Sequence, residues 1–257
     1  MQFYRRLSQI KAISFDLDDT LYNNRPVMQA IEKKMLSYFA DKFAVLLPEL
    51  PPPFHFKFWQ PFRAQAITAD NDISHDVVQL RFETYRLGFI AHKIPVAVAE
   101  PLAQEALAYF IHLRSDFTVP QASYDLLARL GKAYPLVAIS NGNVDTKVLG
   151  IDHYFRYIYH AGFQLERPHG VVGGIPAVSL LKQKPAVDMF TEVCQQLAIL
   201  PQELLHVGDC GFSDIHGALN AGCQTAWLPR YGVGKALRQI PHIELNKVSD
   251  LLGLITP

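Results

Sequence analysis

Residues 13–21, which read Ile-Ser-Phe-Asp-Leu-Asp-Asp-Thr-Leu, decide the fold of this chain. An apolar run, Ile10 to Phe15, ends there in three carboxylates within four positions. Such a run is typical of a buried strand with polar chemistry at its C-terminal end. Because successive side chains of a strand point to opposite faces, we expect Asp16 and Asp18 to share a face and Leu17 to point inward. Two adjacent carboxylates repel, so the pattern indicates a bound Mg²⁺, an acid–base pair, or both.

The composition narrows the class of protein. The chain has 257 residues, 49% of them hydrophobic and 19% charged, with a formal net charge of zero, which predicts a globular protein of one large or two modest domains. The zero net charge argues against a nucleic-acid or membrane surface. The three cysteines show no CxxC spacing, which predicts free thiols. With no signal-peptide pattern and no long apolar stretch, we expect a cytoplasmic protein.

After Thr20 the hydrophobic pattern becomes helical. Val27, Ile31, Met35 and Phe39 recur at helical spacing, and similar patterns cover residues 77–87 and 102–113. The segment 48–62 is rich in proline and aromatic residues, which predicts a packed loop. Residues 22–115 are therefore predicted to form an all-helical cap domain.

From Pro120 onward, predicted strands and helices alternate. Strands are predicted at 136–139, 157–160, 204–207 and 225–228, and helices at 124–130 and 186–197, with a further helix capped by Ser213 and ended by Gly222. Alternation of this kind predicts a parallel sheet with helices on both faces. The fold class is therefore α/β, a doubly wound parallel sheet formed by residues 1–21 and 116–257, with the cap inserted between them.

Polar residues follow the predicted strands. Ser140 and Asn141 come after one strand, Asp209 and Asp214 come after another, and Lys184 precedes a predicted helix. The C-terminal ends of parallel strands meet at one edge of the sheet, so we expect these groups to converge with Asp16 and Asp18. Acids that hold Mg²⁺, beside a hydroxyl and an ammonium group, suit a phosphate monoester.

The order Asp-x-Asp-x-Thr, Ser-Asn-Gly, Lys-Pro and Gly-Asp-x-x-x-x-Asp resembles the haloacid dehalogenase (HAD) superfamily, in its phosphatase branch with a helical cap. The resemblance spans residues 3 to about 228. The extended start of the chain and residues 136–143 narrow it to a bacterial subgroup that dephosphorylates FMN and 5-amino-6-(5-phosphoribitylamino)uracil in riboflavin biosynthesis. The resemblance implies a Mg²⁺-dependent phosphatase of small phosphorylated metabolites.

The resemblance also implies a role for each motif residue. Asp16 would be the nucleophile that forms an aspartyl-phosphate, and Asp18 the general acid and base. Mg²⁺ would be held by the Asp16 carboxylate, the Asp18 main-chain carbonyl and Asp209, with Asp214 orienting the metal site or binding through water. Thr20 would support the first loop of the substrate site. The phosphate charge would be neutralised by Ser140, Asn141 and Lys184.

Three details qualify this interpretation. Lys182 could compete with Lys184, although the proline after Lys184 favours the latter. The stretch before Lys184 contains Gly170, Gly173 and Gly174 and could form an extra hairpin near the site or a surface elaboration. His206, inside a predicted strand, is expected to be buried beside the site.

Two other functions remain open from the sequence. A phosphosugar mutase of the same superfamily would return the phosphoryl group to sugar, and a phosphate-responsive regulator would keep it on the aspartate without catalysis. The relatives known for dehalogenation lack the second carboxylate of the first motif. The presence of Asp18 therefore favours phosphoryl transfer over carbon–halogen cleavage.

Overall fold

The computed structural model describes residues 1–49, 56–166, 178–229, 231–232 and 234–255. The chain divides into two compact units. The core unit comprises residues 1–24, 118–142 and 146–257, and the cap unit comprises residues 25–117 with 143–145. The domain boundaries inferred from the sequence, after residue 21 and before residue 116, remain predictions.

The secondary structure of the described residues is mixed. The strands are β1 (Gln2–Phe3), β2 (Ala12–Phe15), β3 (Leu136–Ser140), β4 (Tyr157–His160), β5 (Gln164–Glu166), β6 (Val178–Leu180), β7 (Leu204–Gly208), β8 (Gln224–Trp227) and β9 (Ile243–Glu244). The α-helices are α1 (Asn24–Leu46), α2 (Phe56–Ala69), α3 (Val77–Ala91), α4 (Val96–Arg114), α5 (Gln121–Leu130), α6 (Asp188–Leu197) and α7 (Gly217–Asn220).

The core unit is built on one sheet with the strand order β1-β9-β8-β7-β2-β3-β4. All neighbours pair in parallel except β1, which is antiparallel to β9. Every residue of β2, β3 and β7 is buried, and most of these residues are apolar. This architecture confirms the predicted α/β fold class.

The register of the sheet brings the reactive loops together. Phe15, the last residue of β2, lies beside Ala138 of β3 and Val207 of β7. The chain leaves these three strands at the same edge, so the residues that follow them become neighbours.

The cap unit is held together by aromatic and aliphatic side chains. Phe39 of α1 lies 4.5 Å from the ring of Trp59 and 5.2 Å from that of Tyr85, measured between ring centroids. Aromatic pairs at such distances add to the hydrophobic gain of burial. None of the helices among the described residues is long and apolar enough to span a membrane.

The prediction of a loop over residues 48–62 is wrong for the second half of that segment. Residues 56–62 belong to α2, which contains Pro61, whereas residues 50–55 lie outside the described residues. A proline inside a helix costs about 3 kcal/mol. Trp59 is nevertheless buried in the cap core, and this packing outweighs the local preference.

Two helix starts also differ from the prediction. Helix α6 begins at Asp188 and not at Ala186, because residues 184–187 form a turn that brings Lys184 to the sheet edge. The cap position after β7 is occupied by Cys210 and not by Ser213. A π-helical turn begins directly after Cys210, whose sulfur accepts the main-chain N–H of Ser213 at 3.5 Å.

The glycine-rich stretch around Gly170, Gly173 and Gly174 lies outside the described residues. Its flanks, β5 and β6, pair as an antiparallel two-stranded sheet.

Candidate active site

Asp16 and Lys184 form the centre of the site. Asp16 directly follows β2, and its main-chain N–H donates to the carbonyl of Val207 at 2.9 Å, which fixes the start of the loop. The Lys184 ammonium group donates to Asp16 Oδ1 at 2.7 Å, to Asp214 Oδ1 at 2.6 Å and to the carbonyl of Ile139 at 2.7 Å. Lys184 is only 3% exposed, so its three donors meet three acceptors in a nearly water-free environment.

The loop after β3 positions Lys184. The side chain of Asn141 accepts the main-chain N–H of Lys184 at 2.7 Å and donates to the main-chain carbonyl of the same residue at 2.9 Å. Ser140 is fully buried, and its hydroxyl accepts the N–H of Gly142 at 3.0 Å. Asn141 therefore fixes the main chain of Lys184 through two hydrogen bonds. Lys182, the other candidate lysine, is exposed.

Asp214 is held against the end of β7. Its Oδ2 accepts the main-chain N–H of Cys210 at 2.9 Å, and the residue is 1% exposed. The carboxylate lies so close to Gly208 that a β-carbon there would collide with it. The glycine of the Gly-Asp motif is thus required for the close approach of Asp214.

Asp209 is half-buried beside the same strand end. Its main-chain carbonyl accepts the indole N–H of Trp227 at 2.8 Å. A β-carbon on Gly234 would lie 2.8 Å from Asp209 Oδ2, so the main chain of Gly234 lies close to this carboxylate. These contacts fix Asp209 from both sides.

Three of these carboxylates could bind one metal ion. Asp16, Asp209 and Asp214 each offer an oxygen atom, and the three atoms lie within 4.8 Å of one another. Carboxylate oxygens are the ligands that Mg²⁺ prefers. Asp209 lies close to Gly234, and Asp214 lies close to Gly208, which keeps these carboxylates in place. The residues present therefore fit a divalent cation.

The first loop supplies Asp18 and Thr20. Asp18 is partly exposed, and its Oδ1 accepts the hydroxyl of Tyr22 at 2.7 Å. Thr20 is 1% exposed, and no described residue forms a hydrogen bond with its hydroxyl. Leu17 is fully buried, as the strand pattern predicted.

The charges of the site are strongly coupled. Burial raises the pKa of Asp16 well above its usual value, against the opposing effect of Lys184. Burial alone would lower the pKa of Lys184, but the carboxylates of Asp16 and Asp214 raise it, so the amine is protonated. For Asp214, burial is outweighed by Lys184, and the pKa lies well below its usual value. Lys184 and Asp214 are therefore an ion pair.

Asp209 titrates near neutral pH. Burial raises the pKa of Asp209 to about 7, and the charges of Asp214 and Asp19 add to the shift. A divalent cation beside Asp16 and Asp209 would favour their ionised forms. The cluster therefore contains more carboxylates than positively charged groups, and a bound cation would stabilise it.

The structure brings together most of the residues singled out in the sequence. Asp16, Lys184, Asp209 and Asp214 form one cluster, with Asn141 bonded to the backbone of Lys184. Sequence reasoning missed Tyr22 and Trp227. The four-residue spacing of Tyr22 from Asp18 was a signal, whereas nothing local marks Trp227 as a neighbour of Asp209.

The sheet and the site define an α/β enzyme built around a buried, lysine-paired aspartate. A family model described as "haloacid dehalogenase-like hydrolase" matches residues 10–222. The chain is 34% identical to 5-amino-6-(5-phospho-D-ribitylamino)uracil phosphatase YigB of Escherichia coli (strain K12), over 99% of this chain and 100% of that protein. It is 27% identical to a phosphoglycolate phosphatase of Chromobacterium violaceum, over 97% and 98% of the two chains.

A solved structure shares the fold along almost the whole chain. The 2-haloacid dehalogenase from Pseudomonas syringae pv. Tomato DC3000 has a TM-score of 0.80 and 26% identity, covering 96% of this chain and 98% of that one. The chain belongs to the haloacid dehalogenase-like hydrolase family. Its enzyme class is that of a phosphoric monoester hydrolase, which confirms the class expected from the motifs.

Proposed function

We propose that this protein is a Mg²⁺-dependent phosphatase that transfers the phosphoryl group of small metabolites to Asp16 and then to water. We further propose that its substrates include 5-amino-6-(5-phosphoribitylamino)uracil and FMN. The observation that carries the proposal is the buried Asp16, held by the Lys184 ammonium at 2.7 Å inside a cluster of carboxylates.

The metal would be held by the carboxylates of Asp16 and Asp209 and by the main-chain carbonyl of Asp18, with Asp214 orienting the site. Bound Mg²⁺ would supply positive charge for phosphate oxygens and keep the carboxylates ionised. The seating of Asp209 beside Gly234 and of Asp214 beside Gly208 supports this assignment.

In the first half-reaction, a carboxylate oxygen of Asp16 attacks phosphorus and the bond from phosphorus to the alcohol oxygen breaks. Lys184 restricts the rotation of the Asp16 carboxylate and places a positive charge beside the reacting phosphate. Asp18 donates its proton to the departing alkoxide, and Tyr22 holds the Asp18 carboxyl for this step.

In the second half-reaction, Asp18 takes a proton from a water molecule as that water attacks the phosphorus of the aspartyl-phosphate. The bond from phosphorus to Asp16 breaks, and inorganic phosphate and the free carboxylate result. Thr20 carries a buried hydroxyl for which the described residues provide no partner, and a phosphate oxygen would satisfy it. We assign Ser140 to the same phosphate pocket.

Asp18 distinguishes this reaction from dehalogenation. A halide ion leaves carbon without needing a proton, whereas an alkoxide leaves phosphorus far more readily when an acid protonates it. Asp18 supplies that acid, so we assign phosphate-ester hydrolysis and not carbon–halogen cleavage, although the fold resembles a solved dehalogenase.

The proposed substrates rest on two observations. A relative covering the full chain is named as a 5-amino-6-(5-phospho-D-ribitylamino)uracil phosphatase. The cap unit also contains a cavity of about 680 Å³ whose wall includes Phe39, Trp59, Tyr85 and Phe110. Cavities of this size and apolar character suit small organic molecules with rings.

The test is the release of inorganic phosphate from a panel of compounds at matched concentrations. The panel holds FMN, 5-amino-6-(5-phosphoribitylamino)uracil, phosphoglycolate, sugar phosphates and 2-chloropropionate. We expect phosphate release from the first two, no halide from the last, and loss of turnover with EDTA that excess Mg²⁺ restores.

The possible results separate the parts of the proposal. Turnover of sugar phosphates but not of the first two compounds would remove the substrate assignment and leave the phosphatase. Isomerised sugar phosphate without free phosphate would indicate a mutase, and a phosphorylated Asp16 that survives for hours would indicate a regulator. Halide release would contradict the role of Asp18.

A further inference from the structure

A buried serine and histidine lie directly behind the Asp214–Lys184 ion pair. The hydroxyl of Ser14 is 2.9 Å from His206 Nδ1, and His206 Nε2 is 3.5 Å from Asp214 Oδ1. Ser14 and His206 are both fully buried, and Asp214 is 1% exposed. A polar chain therefore runs through the sheet into the site, although the reaction proposed above does not use its first two members.

The sheet register creates this chain. Ser14 of β2 is paired with His206 of β7, so the two side chains sit next to each other in the middle of the parallel sheet. Both interrupt otherwise apolar strands. A buried polar group costs free energy unless it is hydrogen-bonded, so each member requires the other.

The contacts define the state of the imidazole. The ring is fully buried inside the sheet, and burial favours the uncharged imidazole. One ring nitrogen then carries a hydrogen and the other accepts one. With Nε2 directed at a carboxylate oxygen, the favourable tautomer has the hydrogen on Nε2, and the Ser14 hydroxyl donates to Nδ1. The opposite tautomer would place a lone pair against Asp214.

This arrangement acts on the oxygen that binds the lysine. Asp214 Oδ1 faces both Lys184 Nζ, at 2.6 Å, and His206 Nε2, while Oδ2 accepts the N–H of Cys210. The carboxylate is thus held from three directions, and His206 provides the side-chain contact from the sheet interior.

We propose that His206, oriented by Ser14, is a positioning residue that fixes the Asp214 carboxylate and thereby holds the Lys184 ammonium beside Asp16. The proposal rests on the phosphatase function proposed above. A purely structural role is the competing explanation, because the His206 ring also packs edge-to-face on Phe190 at 4.9 Å.

The experiment compares four variants at saturating Mg²⁺. His206→Leu removes both ring nitrogens at similar volume, His206→Gln keeps an amide donor, and Ser14→Ala removes the group that sets the tautomer. Phe190→Leu is the matched control, because it disturbs the packing of the same ring without touching a polar atom. The measurements are kcat, KM, the melting temperature and the Mg²⁺ dissociation constant from calorimetry without substrate.

We expect kcat of His206→Leu to fall about 10- to 100-fold, the usual cost of losing a group that orients a site residue, with little change in KM. His206→Gln should recover a large part of kcat, and Ser14→Ala should lose less than His206→Leu. Mg²⁺ should bind His206→Leu more weakly, whereas Phe190→Leu should lose melting temperature but keep kcat and Mg²⁺ affinity.

The proposal is overturned if folded His206→Leu keeps wild-type kcat, if His206→Gln is no better than His206→Leu, or if Phe190→Leu loses kcat to the same extent. Should His206→Leu not fold, a Ser14→Ala protein with unchanged kcat overturns it instead. A wild-type protein that hydrolyses no phosphomonoester contradicts the proposed function itself, and that result is recognised before any variant is made.

Discussion

The site of the core unit and the interior of the cap unit are held together by different kinds of interaction. In the core, Lys184 and Asp214 are almost completely buried charges that meet at 2.6 Å, and a single methyl group at Gly208 would not fit. In the cap, Phe39, Trp59 and Tyr85 pack through broad ring contacts at 4.5–5.2 Å. The first arrangement depends on individual atoms, and the second depends on filled volume.

This difference predicts how the two regions respond to substitution. Charge-assisted hydrogen bonds are directional, and a displaced partner leaves a buried charge uncompensated. Apolar packing is non-directional and tolerates substitution when volume is kept. Small changes in the core should therefore reduce turnover, whereas changes in the cap interior should reduce stability first.

After the nucleophile Asp16 itself, the largest effect is expected at Asp18. Asp18→Asn removes the proposed general acid and base, so kcat for FMN or another phosphomonoester should fall about 10²- to 10⁴-fold while the melting temperature stays near that of the wild type. Asp19→Asn is the matched control. Asp19 adopts a left-handed backbone with φ of 58° and accepts the N–H of Asn24, and asparagine can do both. Equal losses in the two variants would contradict the assignment of Asp18.

A pair of glycine substitutions makes the comparison sharper. Gly208→Ala places a methyl group in the Asp214 carboxylate, so we expect a loss of both kcat and Mg²⁺ affinity. A β-carbon at Gly88 in α3 would lie 2.6 Å from the ring of Trp59 and 3.1 Å from the ring of Phe62, so we expect Gly88→Ala to lower the melting temperature and to leave the Mg²⁺ affinity unchanged. Unaltered Mg²⁺ binding in Gly208→Ala would show that Asp214 can move freely.

The pH dependence of metal binding tests whether the core site holds more carboxylates than positively charged groups. Because burial raises the pKa of Asp209 to about 7, the folded protein holds a proton that Mg²⁺ must displace. The association constant should rise by at least about tenfold per pH unit from pH 5.5 to 7, because Asp16, whose pKa is also raised, must lose any proton it holds, and calorimetry can measure this rise. An affinity that is constant over this range would contradict the proposed ligand role of Asp209.

The smallest effect on the metal site is expected in the cap interior. Phe39 is 1% exposed, and Phe39→Ala should lower the free energy of unfolding by about 3–5 kcal/mol. Urea denaturation followed by circular dichroism measures this loss. The Mg²⁺ affinity should not change, because the proposed ligands belong to the core unit, and a weakened Mg²⁺ site would contradict the separation of roles.

The core could be predicted from sequence because its signals are local. Strand β2 is an apolar run that ends at Asp16, and β7 ends at the Gly-Asp motif, so strand ends and site residues were visible together. The placement of Asn141 on the backbone of Lys184 was not visible, because it depends on the geometry of two loops that are distant in sequence.

The cap was harder to predict. The prolines between 48 and 61 dominate the local pattern, but the burial of Trp59 shows that tertiary packing extends α2 across Pro61. Similarly, His206 could be expected to be buried, but its link to Ser14 depends on the register between β2 and β7. The local sequence does not show which residues make contact across strands or between helices.

The most direct test is to identify the residue that carries the phosphoryl group. The enzyme is mixed with a phosphomonoester and Mg²⁺ and treated with borohydride, which reduces an acyl phosphate to an alcohol, and the peptide containing residues 13–21 is sequenced by mass spectrometry. We predict homoserine at position 16, dependent on substrate and Mg²⁺ and absent from Asp16→Asn. Substrate turnover with aspartate unmodified at position 16, or with the label at position 18, would contradict the covalent role of Asp16.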